Sequence, residues 1–129
     1  MTETQVVIIG GGFGGLYTAL ELEKLLKRRE DVAVTLLSSQ NFFLFTPMLP
    51  EAGASSLGTR HIVSPLRKLL RRTRSAEVSV ERIDLASRLV FARHSLTGAQ
   101  REFPYDRLVL ALGGVTNYFN VPGAEEFSI

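Results

Sequence analysis

The sequence predicts an α/β fold, a parallel sheet carrying an inserted antiparallel β-meander. Three observations lead there. An apolar, β-branched run, Val6 to Ile9, passes through a glycine-rich stretch into a helical run, and a second apolar strand follows at Val32 to Leu37. Strand, helix and strand in this length make a βαβ unit with a right-handed crossover. A further apolar run, Leu108 to Leu112, again ends on glycine, and the stretch between, Glu77 to Phe103, alternates polar and apolar residues around a turn at Leu96-Thr97-Gly98.

The 129 residues suffice for one domain and one core. A hydrophobic content of 45% and a charged content of 22% are ordinary for a soluble globular protein. The net charge of +2 is too small to imply a nucleic-acid partner. With no cysteine, this stretch holds no disulfide, thiolate metal site or redox-active cysteine pair. His61 and His94 are far apart and imply no metal site. Met1 to Gln5 carries Glu3 and no basic residue, so the apolar stretch behind it is a buried strand and helix rather than a signal peptide. No apolar run approaches the ~18 residues a membrane span needs. The expectation is a soluble, cytoplasmic chain.

Val6 to Ile9 is expected at the centre of the sheet, covered on both faces. Gly10 to Gly15 then reads G-x-G-x-x-G, with Gly10, Gly12 and Gly15 in the glycine positions. Gly10 permits a tight turn, Gly12 lets a pyrophosphate approach the backbone, and Gly15 lets the helix pack closely on the sheet. Free N–H groups at the helix start hold the anion. Each glycine in a first helical turn costs about 0.5–1 kcal/mol relative to alanine, a local cost that a bound ligand offsets. In the helix, Leu16 to Lys27, the residues Leu16, Ala19, Leu20, Leu22, Leu25 and Leu26 face inward, and Glu21, Glu23, Lys24, Lys27 and Arg28 face water. Arg28 and Arg29 suit its negative end.

After the second strand comes a polar turn, Ser38-Ser39-Gln40-Asn41, where a doubly wound sheet places its ligand. A dinucleotide site usually has an acid here for the ribose hydroxyls. This chain has Ser38, and the nearest acids, Glu30 and Asp31, lie at the other end of the strand. Phe42 to Pro50 is aromatic, apolar and interrupted by two prolines, which forbid a regular helix or inner strand. It is either a core-plugging loop or an apolar wall beside a planar ring. Ala52 to Thr59 is small and flexible. Ser64-Pro65 predicts a capped helix running to about Thr73, with Leu66, Leu69 and Leu70 inward and Arg67, Lys68, Arg71, Arg72 and Arg74 outward. That basic face is solvated by default, with attraction to anionic headgroups or a cofactor phosphate as the alternative. Tyr105-Asp106 leads into the apolar strand Leu108 to Leu112, expected to be fully buried beside the βαβ unit and closed by Gly113-Gly114.

Taken together, several motifs carry a resemblance. They are Val-Val-Ile-Ile-Gly-Gly-Gly-Phe-Gly-Gly at 6–15, Val-Thr-Leu-Leu at 34–37, Asn-Phe-Phe-Leu-Phe-Thr-Pro-Met-Leu-Pro-Glu at 41–51, Pro-Leu-Arg at 65–67 and Ile-Asp-Leu at 83–85. Tyr-Asp-Arg-Leu-Val-Leu-Ala-Leu-Gly at 105–113 and Val-Thr-Asn-Tyr-Phe-Asn-Val-Pro-Gly-Ala-Glu-Glu at 115–126 complete the set. The chain resembles the N-terminal part of a type II NADH dehydrogenase, the single-subunit NADH:quinone oxidoreductase. The resemblance implies a Rossmann-like FAD-binding domain over residues 1–129. It implies that Gly10, Gly12, Phe13, Gly14 and Gly15 lie against the diphosphate of FAD and that Ser38 and Ser39 stand at the ribose. Val80 meets the adenine through its backbone, and Thr46, Pro47, Ala111, Leu112 and Gly113 lie at the flavin ring. No catalytic acid or base is identifiable.

The resemblance also implies that the stretch is an incomplete fragment, inactive alone. A second domain for NADH and a C-terminal region that attaches peripherally to the inner face of the membrane belong to the parent protein, as does the quinone. Three departures from the family pattern stand out: Ser38 for the usual acid, Leu112 for a threonine, and a short Arg74 to Val80 segment that suggests a missing sheet edge. The alternatives are a related flavoprotein such as a sulfide:quinone oxidoreductase, or a non-catalytic NAD(P)- or FAD-binding module. A disulfide reductase would need cysteines where Phe42 to Leu49 stands.

Overall fold

A computed structural model describes residues 3–128. The chain begins with β1 (Thr4–Ile9), α1 (Phe13–Leu25) and β2 (Val32–Ser38). A small two-stranded sheet follows, β3 (Phe42–Leu44) and β4 (Val63–Pro65), and between its strands lie a 3₁₀ turn, α2 (Leu49–Gly53) and a second 3₁₀ turn. Next come α3 (Leu66–Leu69), the long β5 (Arg74–Asp84), β6 (Leu89–His94), β7 (Gln100–Pro104), β8 (Arg107–Leu110) and a terminal turn of helix, α4 (Ala124–Phe127).

The main sheet has the order β7-β6-β5-β2-β1-β8. β5, β2, β1 and β8 run parallel, and β6 and β7 continue from β5 as an antiparallel meander. Strand alternation divides the core in two. Ile8, Val34 and Leu36 point to one face and pack with Leu16 and Ala19 of α1, Phe43, Leu66 and Leu70. Val7, Ile9 and Leu37 point to the other and pack with Val78, Val90, Ala92 and Tyr105. The layers are therefore helix, parallel sheet and meander, with β1 and β2 covered on both sides as their apolar sequences require.

Several expectations are corrected. The predicted helix from Ser64 to Thr73 is a single turn, because residues 63–65 are taken into the ladder with β3 and Leu70 is already extended. Ser64 makes no cap, and the amides of Arg71, Arg72 and Thr73 donate to the Glu23 carboxylate at 3.0, 2.9 and 2.7 Å instead of to helical carbonyls. Glu23 is thus a bonded, half-buried group rather than a solvated one. Arg72 does not simply face out: its guanidinium donates to the Leu26 and Arg29 carbonyls at 2.6 and 2.7 Å, satisfying groups orphaned at the end of α1. Leu25 does not face inward: it is 73% exposed, and in the last turn Leu22 and Leu26 pack against the core instead.

The suggested gap at Arg74 to Val80 is absent, because β5 is an 11-residue strand paired on both sides. β8 is not fully buried. It is the sheet's outer strand, and Leu110 and Leu112 are 58% and 69% exposed. The prolines of the 42–50 segment start helical turns, Pro47 in the first 3₁₀ turn and Pro50 in α2, and of this stretch only Phe43 is buried, so the segment reaches the core through that one side chain.

Candidate functional site

The C-terminal ends of β1, β2 and β8 converge on the glycine turn. The Gly10 amide donates to the Leu37 carbonyl at 2.9 Å and the Ala111 amide donates to Ile9 at 2.8 Å, so the turn is locked between both neighbouring strands. Gly10 has φ +114°, and a Cβ there would overlap the Ala111 carbonyl. A Cβ on Gly15 would overlap the Gly10 carbonyl, which is how α1 comes so close to the end of β1. Gly12, the residue before α1, has open space where its side chain would be. Among the described residues no protein group accepts from the N–H groups of Gly11 to Gly15, and no side chain caps the helix. The corner is a bare row of donors at the positive end of a helix dipole.

Beside it lies an open cleft of about 400 Å³. The structure brings Gly10, Gly12, Ser38, Ser39, Val80, Ala111, Leu112 and Gly113 together on its walls, from four separate parts of the chain. β5 delivers Val80 because it runs on past the end of β2. Gly14 faces the Ala111 methyl, at 3.4 Å from the position of an added Cβ, and Gly15 is buried beneath. Phe13 turns away from the cleft: its ring packs edge-on to Phe43 at 5.0 Å, tilted to Phe45 at 5.6 Å and stacked near Tyr17 at 6.1 Å. The corner is therefore not plugged. Thr46 and Pro47 are exposed, next to Phe45 on the α1 side, and are not among the residues lining the cleft.

The Ser38 hydroxyl accepts from the Gln40 amide at 3.2 Å and sits so close to Gly11 that a Cβ there would lie 2.5 Å from it. The Ser39 carbonyl accepts from the Ser95 hydroxyl at 3.4 Å. The walls carry no ionisable side chain, so main-chain dipoles dominate the local field. Gln40 of the polar turn also lines the cleft, as do Gly11 and Ser79, which the motifs do not single out. A third consecutive glycine was the available signal for Gly11, and nothing local marks Ser79. No cluster of three or more His, Cys, Asp or Glu suited to a metal occurs among the described residues. The arrangement suits an elongated anion with a diphosphate, since the cradle exists only because side chains are missing from it. It holds no evident acid–base pair.

The family model described as pyridine nucleotide-disulphide oxidoreductase matches residues 4–129. The chain is 35% identical over 127 residues to the type II NADH:quinone oxidoreductase Ndh of Mycobacterium tuberculosis, covering 96% of this chain and 26% of that protein. The fold superposes with a TM-score of 0.84 on the NDH2 structure from Plasmodium falciparum determined with NADH, at 24% identity over 96% of this chain and 25% of that one. It superposes at 0.79 on the sulfide:quinone oxidoreductase of Aquifex aeolicus, at 31% identity, over 95% and 27%. The chain spans about a quarter of the length of these relatives.

Proposed function

The chain belongs to the pyridine nucleotide-disulphide oxidoreductase family, and from that premise we propose that it holds the FAD of a flavoprotein that carries electrons from NADH to a quinone. The observation that carries the proposal is the row of unaccepted amides from Gly11 to Gly15, opening onto the cleft beside a side-chain-free Gly12. When bound, the flavin supplies hydride acceptance and electron release. The protein's part is position and electrostatics. The Gly12, Phe13 and Gly14 amides take the diphosphate, with Gly10 and Gly15 keeping helix and strand close enough to present them. Ser38 and Ser39 stand at the ribose and Val80 at the adenine. Ala111, Leu112 and Gly113 bring main chain to the flavin end, and Thr46 and Pro47, which lie outside the cleft, approach the flavin only at its rim. The sites for NADH and quinone, and any peripheral attachment to the cytoplasmic face of a membrane, belong to the remaining length that the relatives have. Among the described residues no helix is long and apolar enough to cross a membrane.

Likeness to the sulfide:quinone enzyme supports a second reading, with sulfide as donor. The test is direct. FAD is titrated into the purified chain by calorimetry, and its melting midpoint is measured with and without FAD and with NADP. Saturable FAD binding with a raised midpoint is expected, because a ligand of the native state must stabilise it. Absence of FAD binding both here and in a version extended to the relatives' length overturns the proposal. In that longer version, NADH-dependent against sulfide-dependent quinone reduction decides the donor.

A further inference from the structure

The sugar end of this site lacks the carboxylate that ordinarily follows the second strand, and Ser38 stands in its place. A serine engages one hydroxyl, whereas a carboxylate accepts from a vicinal pair through charge-assisted bonds. None of the residues lining the cleft is charged. One strand away, however, Glu77 is the register partner of Ser38 in the parallel β2–β5 pair. Register partners leave the same face of a sheet. Here that is the face covered by Leu66, whose methyl reaches the space between Gly11 and Ser38. Glu77 and Leu66 line a cavity of about 360 Å³ that shares Gln40 as a wall with the cleft. Glu77 is half-buried and, among the described residues, its carboxylate makes no ion pair.

Resting on the FAD assignment above, we propose that Glu77 supplies from β5 the carboxylate that β2 lacks, receiving the 2′- and 3′-hydroxyls of the adenosine ribose and rejecting a 2′-phosphate. Arg67 is a neighbouring cation on this face, lining the same cavity beyond the bond from the Leu66 amide to the Asn41 carbonyl at 2.9 Å, while Arg74 and Arg101 line a second cavity that Glu77 also borders. With Glu77 in place, a phosphate on the ribose meets a like charge first. With Glu77 neutralised, Arg67 remains and the preference turns.

The experiment measures FAD binding to the wild-type chain and to Glu77→Gln, with competition by adenosine 5′-monophosphate and adenosine 2′,5′-bisphosphate, and the melting midpoint of each protein without ligand. The substitution is expected to weaken FAD about tenfold, the ordinary effect of losing a charge-assisted pair. It is also expected to abolish a wild-type preference for the monophosphate, while the ligand-free midpoint stays unchanged. Equal FAD affinity in both proteins, or weaker binding with the monophosphate preference retained, overturns the assignment of Glu77 and leaves the FAD site standing. Failure to bind FAD both by the wild-type chain and by the version extended to the relatives' length removes both.

Discussion

Glu23 and Arg72 hold each other's chain segments: the Glu23 carboxylate accepts the Arg72 amide at 2.9 Å, and the Arg72 guanidinium donates to the Leu26 carbonyl at 2.6 Å, one turn beyond Glu23 on α1. The end of α1 and the entry to β5 are thereby fastened together without a hydrophobic contact between those two side chains. α1 is the helix whose other end presents the bare amides, so this fastening sets where the cradle sits.

Removing the carboxylate leaves three amides without their acceptor, and Glu23→Ala is expected to lower stability by about 1–3 kcal/mol. Urea denaturation checks this, and an unchanged midpoint would contradict it.

The same group gives an acid limb. Partial burial pushes the Glu23 carboxyl up, but bonds from the Thr73, Arg72 and Arg71 amides outweigh it and hold the group below its ordinary 4.5. A folded pKa below the unfolded one means the contribution is complete above pH 4.5 and is lost as pH falls through the folded value. Wild-type stability should therefore drop more steeply below that pH than Glu23→Gln. Parallel pH profiles of the two melting midpoints would show that Glu23 contributes nothing to the acid limb.

The glycines should separate by role. Gly15→Ala places a methyl into the Gly10 carbonyl and is expected to destabilise by about 1–3 kcal/mol. Gly12→Ala meets nothing in the protein, so its ligand-free stability should stay within about 0.5 kcal/mol while FAD affinity falls at least tenfold. Thermal melts and FAD titrations of the two variants distinguish these outcomes; normal FAD binding by Gly12→Ala would show that no phosphate approaches there.

Phe13→Ala removes the ring at the centre of the Phe43, Phe45 and Tyr17 group. At 38% exposure the ring is only partly buried, so a loss of about 1–2 kcal/mol is expected rather than the full value for a core phenylalanine. The check is the urea midpoint, with FAD affinity changing little because the Phe13 ring packs on Phe43, Phe45 and Tyr17 and is not among the residues lining the cleft.

The outer edge of β8 predicts self-association of the chain alone. Its neighbouring apolar residues Leu110 and Leu112 are open to solvent beside unpaired main chain. Leu110→Lys with Leu112→Lys should reduce concentration-dependent association in sedimentation measurements. Association unaffected by both changes would place the contact elsewhere.

The parallel strands, α1 and the meander were legible because each is a local pattern: a continuous apolar run, a glycine-led helix, period-two alternation around Leu96-Thr97-Gly98. The glycine corner was legible for the same reason. The stretch from Ser64 to Thr73 was not, since its helical pattern competes with pairing to Phe42–Leu44 and with a carboxylate 50 positions earlier in the chain. Tertiary partners decided it, and no window of sequence contains them. The exposure of Leu110 likewise depends on having no strand beyond it. Glu77 neighbours Ser38 only through strand register, a relationship that no local window of sequence contains.

β5 takes part in both pairings: its first residues are laddered to β2 and its later ones to β6. Val78 to Val80 lie just past that handover and also form one wall of the cleft. The meander therefore cannot peel away as a separate unit without pulling that wall apart. Occupancy of the groove and the integrity of the outer layer should rise and fall as one, so amide hydrogens in β6 report on a ligand they never touch.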